Sequence, residues 1–411
     1  MTDACYRPKL LSVQEAQSFL LAKARPLAEV RTVETAEALG HVLATAQVSP
    51  IDVPGYDNSA MDGYAVRSAD VAPSGTTRLA ISQRIAAGTE GRRLGQGQAA
   101  RIFTGAPMPA GADAVVMQER CRVEGAQVSF EGALRAGENV RPQGNDIARG
   151  TEVLAAGTRI RAQEMGLAAS VGLATLPVFR PLRVAVLSSG DELVLPGAPL
   201  GRGRIYNSNR YILFGLLARL GCELRDQGTV GDDPVATEEA LQRAAEGADV
   251  IVTSGGVSVG EEDHMRQAVS RLGRLDLWRI AVKPGKPLAY GRVRDADFLG
   301  LPGNPVSVLV TFCLFVRPFL LRRQGAQDVM ARSFRVKAGF VWRKPGARRE
   351  YLRARLVQHG DGEWRAEPFP RQGSDVLTSA VWADGLVEIP EGRLFSVGDD
   401  VSFLPFSELF G

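Results

Sequence analysis

The hydrophobic pattern divides the first half of the chain into two regions. From Leu11 to Leu43 the apolar residues recur at helical spacing, and Ser12 with Glu15 three positions later forms a capping-box signature. We therefore expect a helical lead-in. From Val48 to about Gly150, short strand-like segments such as "ADAVVMQE" and "AQVSFEG" alternate with turns and predict a small β subdomain. A further helix is expected in "RAQEMGLAASVG".

In the second half, strand and helix patterns alternate. The strand "RVAVLSS" precedes the helix "NSNRYILFGLLARLG", which Asn207 or Asn209 caps and Gly221 stops. A strand ending at Val230, a helix opened by "DDP" and the strand "DVIVTS" follow. This order predicts a parallel sheet with helices on both faces. The long helix "NPVSVLVTFCLFVRPFLLRR" comes next, and after about Met330 short strands predict an all-β C-terminal domain.

Composition narrows the class of protein. The 411 residues, 45% of them hydrophobic and 23% charged, are enough for several globular domains. The net charge of +3 and the lack of a basic run interleaved with aromatic residues argue against a nucleic-acid partner. Four scattered cysteines and three histidines argue against a zinc site. We find no signal-like N-terminus and no apolar stretch approaching eighteen residues, so we expect a cytoplasmic protein without membrane contact.

A glycine-rich segment, "TSGGVSVGEEDHM", follows one of the predicted strands. Gly255 and Gly256 can bring backbone N–H groups close to a phosphate, and Ser254 and Ser258 add hydroxyl donors. Tight strand-to-helix turns need glycine in any case, and neither the dinucleotide nor the P-loop spacing is present. The acidic run ending at Asp263 either favours the start of the next helix or holds a divalent cation.

Charged residues follow other predicted strands, where ligands of such sheets bind. "SSGDEL" places Asp191 and Glu192 on a connection that is either an exposed turn or part of a site. "VKPGKPLAY" puts Lys283 and Lys286 on either side of a Pro-Gly turn; they are either solvated surface or an oxyanion site. "LPGNPVS" opens the long helix with Ser307 in its first turn, a second anion-binding surface. Together these residues indicate a phosphate-bearing ligand with a divalent metal, and they do not define a reaction.

One loop of the β subdomain, "VPGYDNSAMDGYAV", combines turn residues with little apolar bulk. Asp62-Gly63 is a strong hairpin signal, so the simplest interpretation is a β-turn. The alternative is a site loop, in which Ser59, Ala60 and Gly63 let the backbone approach a bulky ligand closely and Asp62 reaches towards a metal or phosphate.

Eight segments, in this order, together resemble the molybdopterin molybdenumtransferase family, which includes the bacterial molybdenum-insertion enzyme and the E domain of gephyrin. They are "GYDNSAMDGYAV", "FTGAPMPAGADAVV", "GNDIARG", "LSSGDEL", "TSGGVSVGEEDHM", "KPGKPLAYG", "LPGNPVS" and "RQGSDVL". The resemblance implies a multidomain α/β plus β fold in an elongated homodimer. Its parts would be an N-terminal helical domain (1–48 with 151–180), an inserted β subdomain (49–150), a three-layer α/β/α molybdopterin-binding domain with a parallel sheet (181–330) and a C-terminal β-barrel (331–411).

The resemblance also implies a reaction in molybdenum cofactor biosynthesis. Molybdate is inserted into adenylylated molybdopterin, with Mg²⁺-dependent cleavage of the adenylate and release of AMP. The implied catalytic residues are Asp62, Thr104, Asp146, Glu192, Asp232 and Asp263, of which Glu192, Asp232 and Asp263 would bind the metal. The implied ligand-binding residues are Ser254, Gly255, Gly256, Ser258, Lys283, Lys286, Ser307, Arg348 and Ser374. Arg349 is an alternative to Arg348, and His264 stands where the family pattern has an aromatic hydroxyl.

Two other functions compete with this one. The sheet region also resembles molybdopterin adenylyltransferases, which are short single-domain chains without the 53–150 subdomain. A gephyrin-like scaffold that anchors membrane receptors is the second, although nothing here resembles gephyrin's long linker. For the enzyme, the expected protein partners are a second copy of the chain, the upstream adenylyltransferase and the downstream molybdoenzymes.

Overall fold

The first helix begins where the sequence predicts. The computed structural model describes residues 10–256 and 264–410, and in it the helix Val13–Lys23 begins after Ser12. The backbone N–H of Glu15 donates to Ser12 Oγ at 3.2 Å, and the N–H of Ser12 donates to Glu15 Oε2 at 2.7 Å. This reciprocal pair satisfies two donors that a helix start otherwise leaves open.

The helical prediction for the rest of Leu11–Leu43 is wrong. Pro26 follows the helix closely and cannot continue it, and the β-branched segment Val30–Glu34 forms a strand. This strand pairs antiparallel with Thr175–Phe179, which the chain reaches only after the β subdomain. The predicted helix Ala162–Ser170 is present, and it shares a hydrophobic cluster with Thr175–Phe179. The returning segment thus completes the N-terminal part.

The β subdomain is built on a six-stranded sheet. In spatial order its strands are Ala114–Met117, Gly63–Val66, Gln98–Ile102, Thr76–Ile85, Gln127–Glu131 and Cys121–Glu124. Two short antiparallel ladders tie its ends together. They join Asn58–Ser59 with Val140–Arg141 and Gln47–Val48 with Glu152–Leu154.

The hairpin interpretation of Asp62-Gly63 is wrong. The strands on either side do not pair with each other, because Asn58–Ser59 pairs with Val140–Arg141 while Gly63–Val66 lies between two strands of the main sheet. Gly63 is required for a different reason. A Cβ atom at this position would lie 1.9 Å from the carbonyl oxygen of Val116, a distance that backbone atoms do not tolerate.

The α/β domain contains the three predicted parallel strands and three more. In spatial order the strands are Glu223–Val230, Arg183–Ser189, Val250–Ser254, Ala296–Leu301, Pro287–Val293 and Gly273–Arg279. The first four are parallel, and the last two extend the sheet as an antiparallel meander. The surrounding helices are Ser208–Arg219, Pro234–Ala245, His264–Leu272 and the long helix that starts at Pro305. Two-residue strands at Leu193–Val194 and Ile205–Tyr206 pair beside this sheet.

Helix caps and strand directions bring several loops to one edge of the sheet. Asn207 Oδ1 accepts from the N–H of Arg210 at 3.1 Å and Asp233 Oδ1 accepts from the N–H of Ala236 at 2.7 Å, which confirms the first of the two predicted caps and the start of the next helix. The strand Gly273–Arg279 runs in the direction of the parallel strands, so its carboxyl end lies at the same edge.

The long apolar helix consists of α-helical Pro305–Thr311, π-helical Phe312–Val316 and α-helical Arg317–Arg323. By length and composition alone Pro305–Arg323 could cross a membrane, contrary to the expectation of no apolar stretch of that length. However, 89% of its 18-residue window is buried inside the protein. It contributes to the largest hydrophobic cluster and is a core helix.

The C-terminal domain is a closed five-stranded barrel. The strands follow the order Arg349–Gln358, Trp364–Pro368, Phe334–Ala338, Asp400–Pro405 and Gly385–Ile389, and the last pairs with the first. Two short helices, Leu377–Trp382 and Phe406–Phe410, accompany it. Val282–Lys283 from the α/β domain pairs in parallel with Arg349–Gln358. This pairing joins the two domains beside the turn 283–286, which carries Lys283 and Lys286 and is called the lysine turn below.

Candidate active site

A cleft of about 850 Å³ lies between the α/β domain and the barrel. Nine of the predicted site residues line it: Glu192, Asp232, Gly255, Gly256, Lys283, Lys286, Ser307, Arg348 and Ser374. The residues come from loops at the carboxyl ends of the parallel strands, from the lysine turn, from the start of the long helix and from the barrel. The location agrees with the general rule for ligand sites on such sheets.

The glycine pair belongs to the floor of this cleft. Gly255 has a φ of +83°, and a Cβ atom there would lie 2.3 Å from the carbonyl oxygen of Ser189. Gly256, with a φ of +64°, also passes close to Ser189. Ser254 is different from the prediction, because it is buried, does not line the cleft and has a hydroxyl without a hydrogen-bond partner. Ser258 lies outside the described residues.

Two carboxylates, Glu192 and Asp232, face the cleft from neighbouring loops. Asp191 Oδ1 accepts from the backbone N–H of Asp232 at 3.2 Å and so connects the two loops. Asp263 lies outside the described residues, and within residues 10–256 and 264–410 no three His, Cys, Asp or Glu side chains form a metal cluster. Mg²⁺ is commonly held by one or two carboxylates together with substrate phosphates. The donor set of this cleft fits that mode of binding.

The cations of the cleft differ in how far they are neutralised. Lys283 Nζ lies 2.9 Å from Glu350 Oε2, whose side chain is 10% exposed. The exposed Lys286 makes no ion pair within the described part of the chain. Arg348 donates through Nη1 to the carbonyl oxygen of Val282 at 3.3 Å and makes no ion pair with a described residue. Lys286 and Arg348 therefore carry charge that an anionic ligand can use.

Only one of the two adjacent arginines, Arg348, lines the cleft. Arg349 does not line the cleft, since its guanidinium lies against the barrel. Its Nη1 is 2.9 Å from Glu388 Oε1 and its Nη2 is 3.1 Å from Glu391 Oε2. Arg348 lies in the bend just before the strand Arg349–Gln358 and turns towards the cleft, whereas Arg349 is the first residue of the strand.

A loop of the barrel, 372–375, closes one side of the cleft. Ser374 Oγ accepts from Asn304 Nδ2 at 2.8 Å, and the backbone N–H of Val306 donates to the Ser374 carbonyl at 3.0 Å. The loop is thereby held against the first turn of the long helix. Asn304, Gln372 and Asp375 also line the cleft. Sequence analysis missed these three, although each lies within a segment quoted above, "LPGNPVS" or "RQGSDVL".

Behind this loop lies Arg353, whose side chain is fully buried. It donates through Nη2 to the Gly373 carbonyl and through Nε to Ser379 Oγ, both at 2.9 Å. Its backbone N–H donates to Gln372 Oε1 at 3.0 Å. Burial lowers the pKa of Arg353 to about 10, and the negative charge of Asp375 acts in the opposite direction. Arg353 fixes the loop without reaching the cleft.

Asp62 and Thr104 form a pair on the β subdomain. The backbone N–H and the hydroxyl of Thr104 both donate to Asp62 Oδ1 at 2.8 Å. These two hydrogen bonds, helped by the charge of Arg101, lower the pKa of Asp62 against the opposing effect of burial. Asp62 is therefore a carboxylate at neutral pH. The predicted partner Asp146 is exposed, and the structure places none of the three in the cleft of the same chain.

The Thr104 loop has a support that sequence analysis missed. The ring of Phe103 contacts two guanidinium groups, with Arg84 Cζ 4.5 Å and Arg101 Cζ 4.6 Å from its centroid. Arg101 also donates to the Gly63 carbonyl at 3.0 Å. The stack joins the loop carrying Thr104 to the strand that follows Asp62. No sequence spacing signals it, because the residues meet only in the folded sheet.

His264 begins the helix His264–Leu272, and its buried Nδ1 has no hydrogen-bond partner among the described residues. It follows directly on residues that the structure does not describe. The effect on the site of having His264 in place of the family's aromatic hydroxyl therefore stays a prediction.

Three family models match successive parts of the chain. They are described as MoeA N-terminal region (domain I and II), matching residues 11–172, probable molybdopterin binding domain, matching residues 185–322, and MoeA C-terminal region (domain IV), matching residues 335–406.

Individual proteins match over nearly the whole length. The chain is 36% identical to the molybdopterin molybdenumtransferase of Haemophilus influenzae, covering 98% of this chain and 100% of that protein. It is 37% identical to the protein of the same name from Nostoc, covering 92% of this chain and 88% of that protein. Its fold is similar to the crystal structure of a molybdopterin biosynthesis moeA protein from Pyrococcus horikoshii, with a TM-score of 0.83, 27% identity and coverage of 97% and 100% of the two chains. The arrangement of the domains and the full-length similarity lead to one conclusion: this chain belongs to the molybdopterin molybdenumtransferase family.

Proposed function

We propose that this protein inserts molybdate into adenylylated molybdopterin and releases AMP, as a step of molybdenum cofactor biosynthesis. The observation that carries the proposal is the composition of the cleft, in which Lys286 and Arg348 lie in the same 850 Å³ space as the carboxylates Glu192 and Asp232. Such a site can hold an oxyanion at one end and a cation with phosphates at the other.

The cationic end suits molybdate. Lys286, Arg348 and the Ser374 hydroxyl supply positive charge and a hydrogen-bond donor to a tetrahedral oxyanion, while Lys283 is partly neutralised by Glu350. The backbone around Gly255 and Gly256 can approach phosphate oxygens because neither residue has a side chain. The N-terminus of the long helix, with Ser307 in its first turn, adds a favourable dipole.

The carboxylate end suits a divalent cation. Glu192 and Asp232, with Asp263 from outside the described residues, would hold Mg²⁺. When bound, the ion would neutralise negative charge on the phosphoanhydride of the substrate. The role of the protein side chains is to place that anhydride beside the molybdate subsite.

We further propose that the site is completed by a second copy of the chain. Asp62, Thr104 and Asp146 lie on the β subdomain and do not line the cleft of their own chain. In a two-fold dimer, the same surface of each copy can face the other, so a loop can complete a neighbouring site twice. The Thr104 hydrogen bonds keep Asp62 ionised for such a role.

The setting of the reaction is also proposed. Cys121, Cys222 and Cys313 are free thiols, as expected in the reducing cytoplasm. The proposed reaction takes its pterin nucleotide from an adenylyltransferase and delivers its product to molybdoenzymes, so we infer that both are protein partners.

The test is release of AMP from adenylylated molybdopterin in the presence of Mg²⁺ and molybdate. Asp232→Asn should abolish turnover with the fold intact, whereas Asp295→Asn is the matched control, because Asp295 is exposed at the opposite edge of the sheet. Undiminished AMP release in excess EDTA would contradict the metal role. Conversion of non-adenylylated molybdopterin with ATP would instead identify an adenylyltransferase, and inactivity in both assays would favour a scaffold.

A further inference from the structure

A second cleft, of about 920 Å³, lies on another side of the molecule. It is bounded by the segment after residue 155, the end of the helix Ser208–Arg219, the segment after the long helix and the C-terminal helix. We call it the arginine cleft, because five guanidinium groups line it: Arg159, Arg161, Arg219, Arg317 and Arg332. None of these residues lines the candidate active site.

Two of the five guanidinium groups are paired within the protein. Arg161 makes an ion pair with Glu164 at 2.6 Å, and Arg332 lies 3.7 Å from Asp328. Both pairs are formed at the margin of the cleft, where the arginine side chains are 67% and 73% exposed. These two residues therefore bring little uncompensated charge to the interior of the cleft.

The other three have backbone carbonyls as their only described partners. Arg159 donates to the carbonyl of Arg219 at 2.7 Å, Arg219 donates to that of Phe410 at 2.9 Å, and Arg317 donates to that of Val329 at 2.9 Å. Among the described residues none of the three makes an ion pair. Three positive charges thus share one cleft without an ion pair to a described residue, although the carboxylates of Asp328 and Glu408 also line it.

Arg317 is the most informative of the three. It is only 7% exposed, and its Nε has no hydrogen-bond partner in the described part of the chain. Burial lowers the pKa of Arg317, and the charge of Arg159 acts in the same direction, while Cys313, Glu408 and Asp328 have opposing effects smaller than that of burial. Burying a charge that makes no direct ion pair is costly, so an anion bound against the guanidinium of Arg317 would stabilise this arrangement.

The backbone around Arg317 is also unusual. The π-helical turn Phe312–Val316 directly precedes it, and such turns are frequent at functional sites. Pro318 lacks an N–H group, and the carbonyl of Leu314 accepts instead from Gln17 Nε2 at 3.0 Å. An extra residue in one turn rotates the following side chains about the helix axis. The π-helical turn therefore sets the direction in which the Arg317 side chain points, which differs from its direction in a regular α-helix.

The lining of the cleft indicates the kind of anion. Its volume is in the range of small-molecule pockets, which is about 300–1,000 Å³, and exceeds what a bare oxyanion requires. Leu39 and Met330, exposed by 64% and 44%, provide an apolar wall beside the arginines. We propose that the arginine cleft binds a phosphate ester of nucleotide size, with its phosphates on Arg159, Arg219 and Arg317.

The test is calorimetric titration with ADP as the probe and uncharged adenosine as its comparison. Arg159→Gln and Arg219→Gln should each weaken ADP binding by about 10- to 100-fold, the usual effect of losing a charge-assisted hydrogen bond. Arg122→Gln is the matched control, because Arg122 is an exposed residue of the β subdomain outside both clefts. Adenosine should bind at least about tenfold more weakly than ADP.

The competing outcomes are distinct. ADP binding that is unchanged in both arginine variants would place the nucleotide elsewhere, such as the candidate active site, and overturn the proposal. Equal affinity for adenosine and ADP would also overturn it. If ADP does not bind while Arg159→Gln changes the oligomeric state in size-exclusion chromatography, the cleft is a protein interface and the proposal is wrong.

Discussion

The adjacent residues Arg348 and Arg349 provide the sharpest test of the proposed molybdate subsite. The two residues are adjacent and carry the same charge, yet only Arg348 lines the cleft. Arg349 is paired with Glu388 and Glu391. We expect Arg348→Gln to raise the requirement for molybdate, and Arg349→Gln to weaken the barrel and leave that requirement unchanged.

The magnitudes follow from the contacts. A hydrogen bond to a charged group contributes about 1.5–3 kcal/mol, so its loss at Arg348 should raise the half-saturating molybdate concentration about 10- to 100-fold. The Arg348 contact to the Val282 carbonyl, at 3.3 Å, is long and contributes little to stability. At Arg349 the substitution leaves two partly buried carboxylates without their partner, which should reduce the free energy of unfolding by about 1–3 kcal/mol.

The assay is AMP release at varied molybdate concentration, with urea unfolding of each variant measured in parallel. Arg348→Lys serves as the conservative comparison and should recover part of the affinity, because it keeps the charge and loses the two-pronged geometry. An Arg349→Gln variant that raises the molybdate requirement as much as Arg348→Gln would refute the assignment of Arg348 alone to the molybdate subsite.

Three further predictions concern other parts of the chain. Thr104→Ala should raise the pKa of Asp62, because the carboxylate loses a hydroxyl donor. The acidic limb of the pH–rate profile should then move to higher pH, and an unchanged limb would show that the ionisation of Asp62 does not control the rate. Mixing Asp62→Ala with Asp232→Ala chains under subunit exchange should restore about a quarter of wild-type activity if sites are shared, and none if each site lies within one chain. Asp249→Asn should lower the free energy of unfolding by about 1–3 kcal/mol at pH 7, because the buried Arg180 loses its two-pronged partner and keeps only its ion pair with Glu29. Burial raises the pKa of Asp249, but the hydrogen bonds from Arg180 and from the backbone outweigh burial and lower it. The contribution of Asp249 to the free energy of unfolding is therefore complete above the ordinary carboxyl pKa and is lost as the pH falls through the lowered value. An equal difference in the free energy of unfolding between variant and wild type at pH 7 and in strong acid would contradict this.

Local sequence patterns predicted the elements that depend on neighbouring residues. The capping box at Ser12, the helix cap at Asn207 and the buried strands Arg183–Ser189 and Val250–Ser254 are all present. Each depends on interactions within a few residues or on the burial of a short apolar run. The same local argument failed at Val30–Glu34, which is a strand because its partner arrives more than 140 residues later.

The same distinction between local and long-range interactions applies to the candidate site residues. Sequence alone indicated the residue types of the site, including the glycine pair, the two lysines and the carboxylate Asp232, because turns, charges and family motifs are local properties. It left Arg348 and Arg349 as alternatives, and it did not indicate the support from the buried Arg353.

The sequence by itself determined the helices with their caps, the buried strands and the chemistry available to a ligand. Tertiary structure alone decided which of those residues share a cleft, that Asp62 and Thr104 lie apart from it in the same chain, and that Arg159, Arg219 and Arg317 converge in a second cleft without an ion pair to a described residue. The physical reason is the range of the interactions. Helix caps and strand patterns are set over a few residues, whereas a cleft is formed by segments up to about 370 positions apart, whose meeting depends on the packing of whole domains.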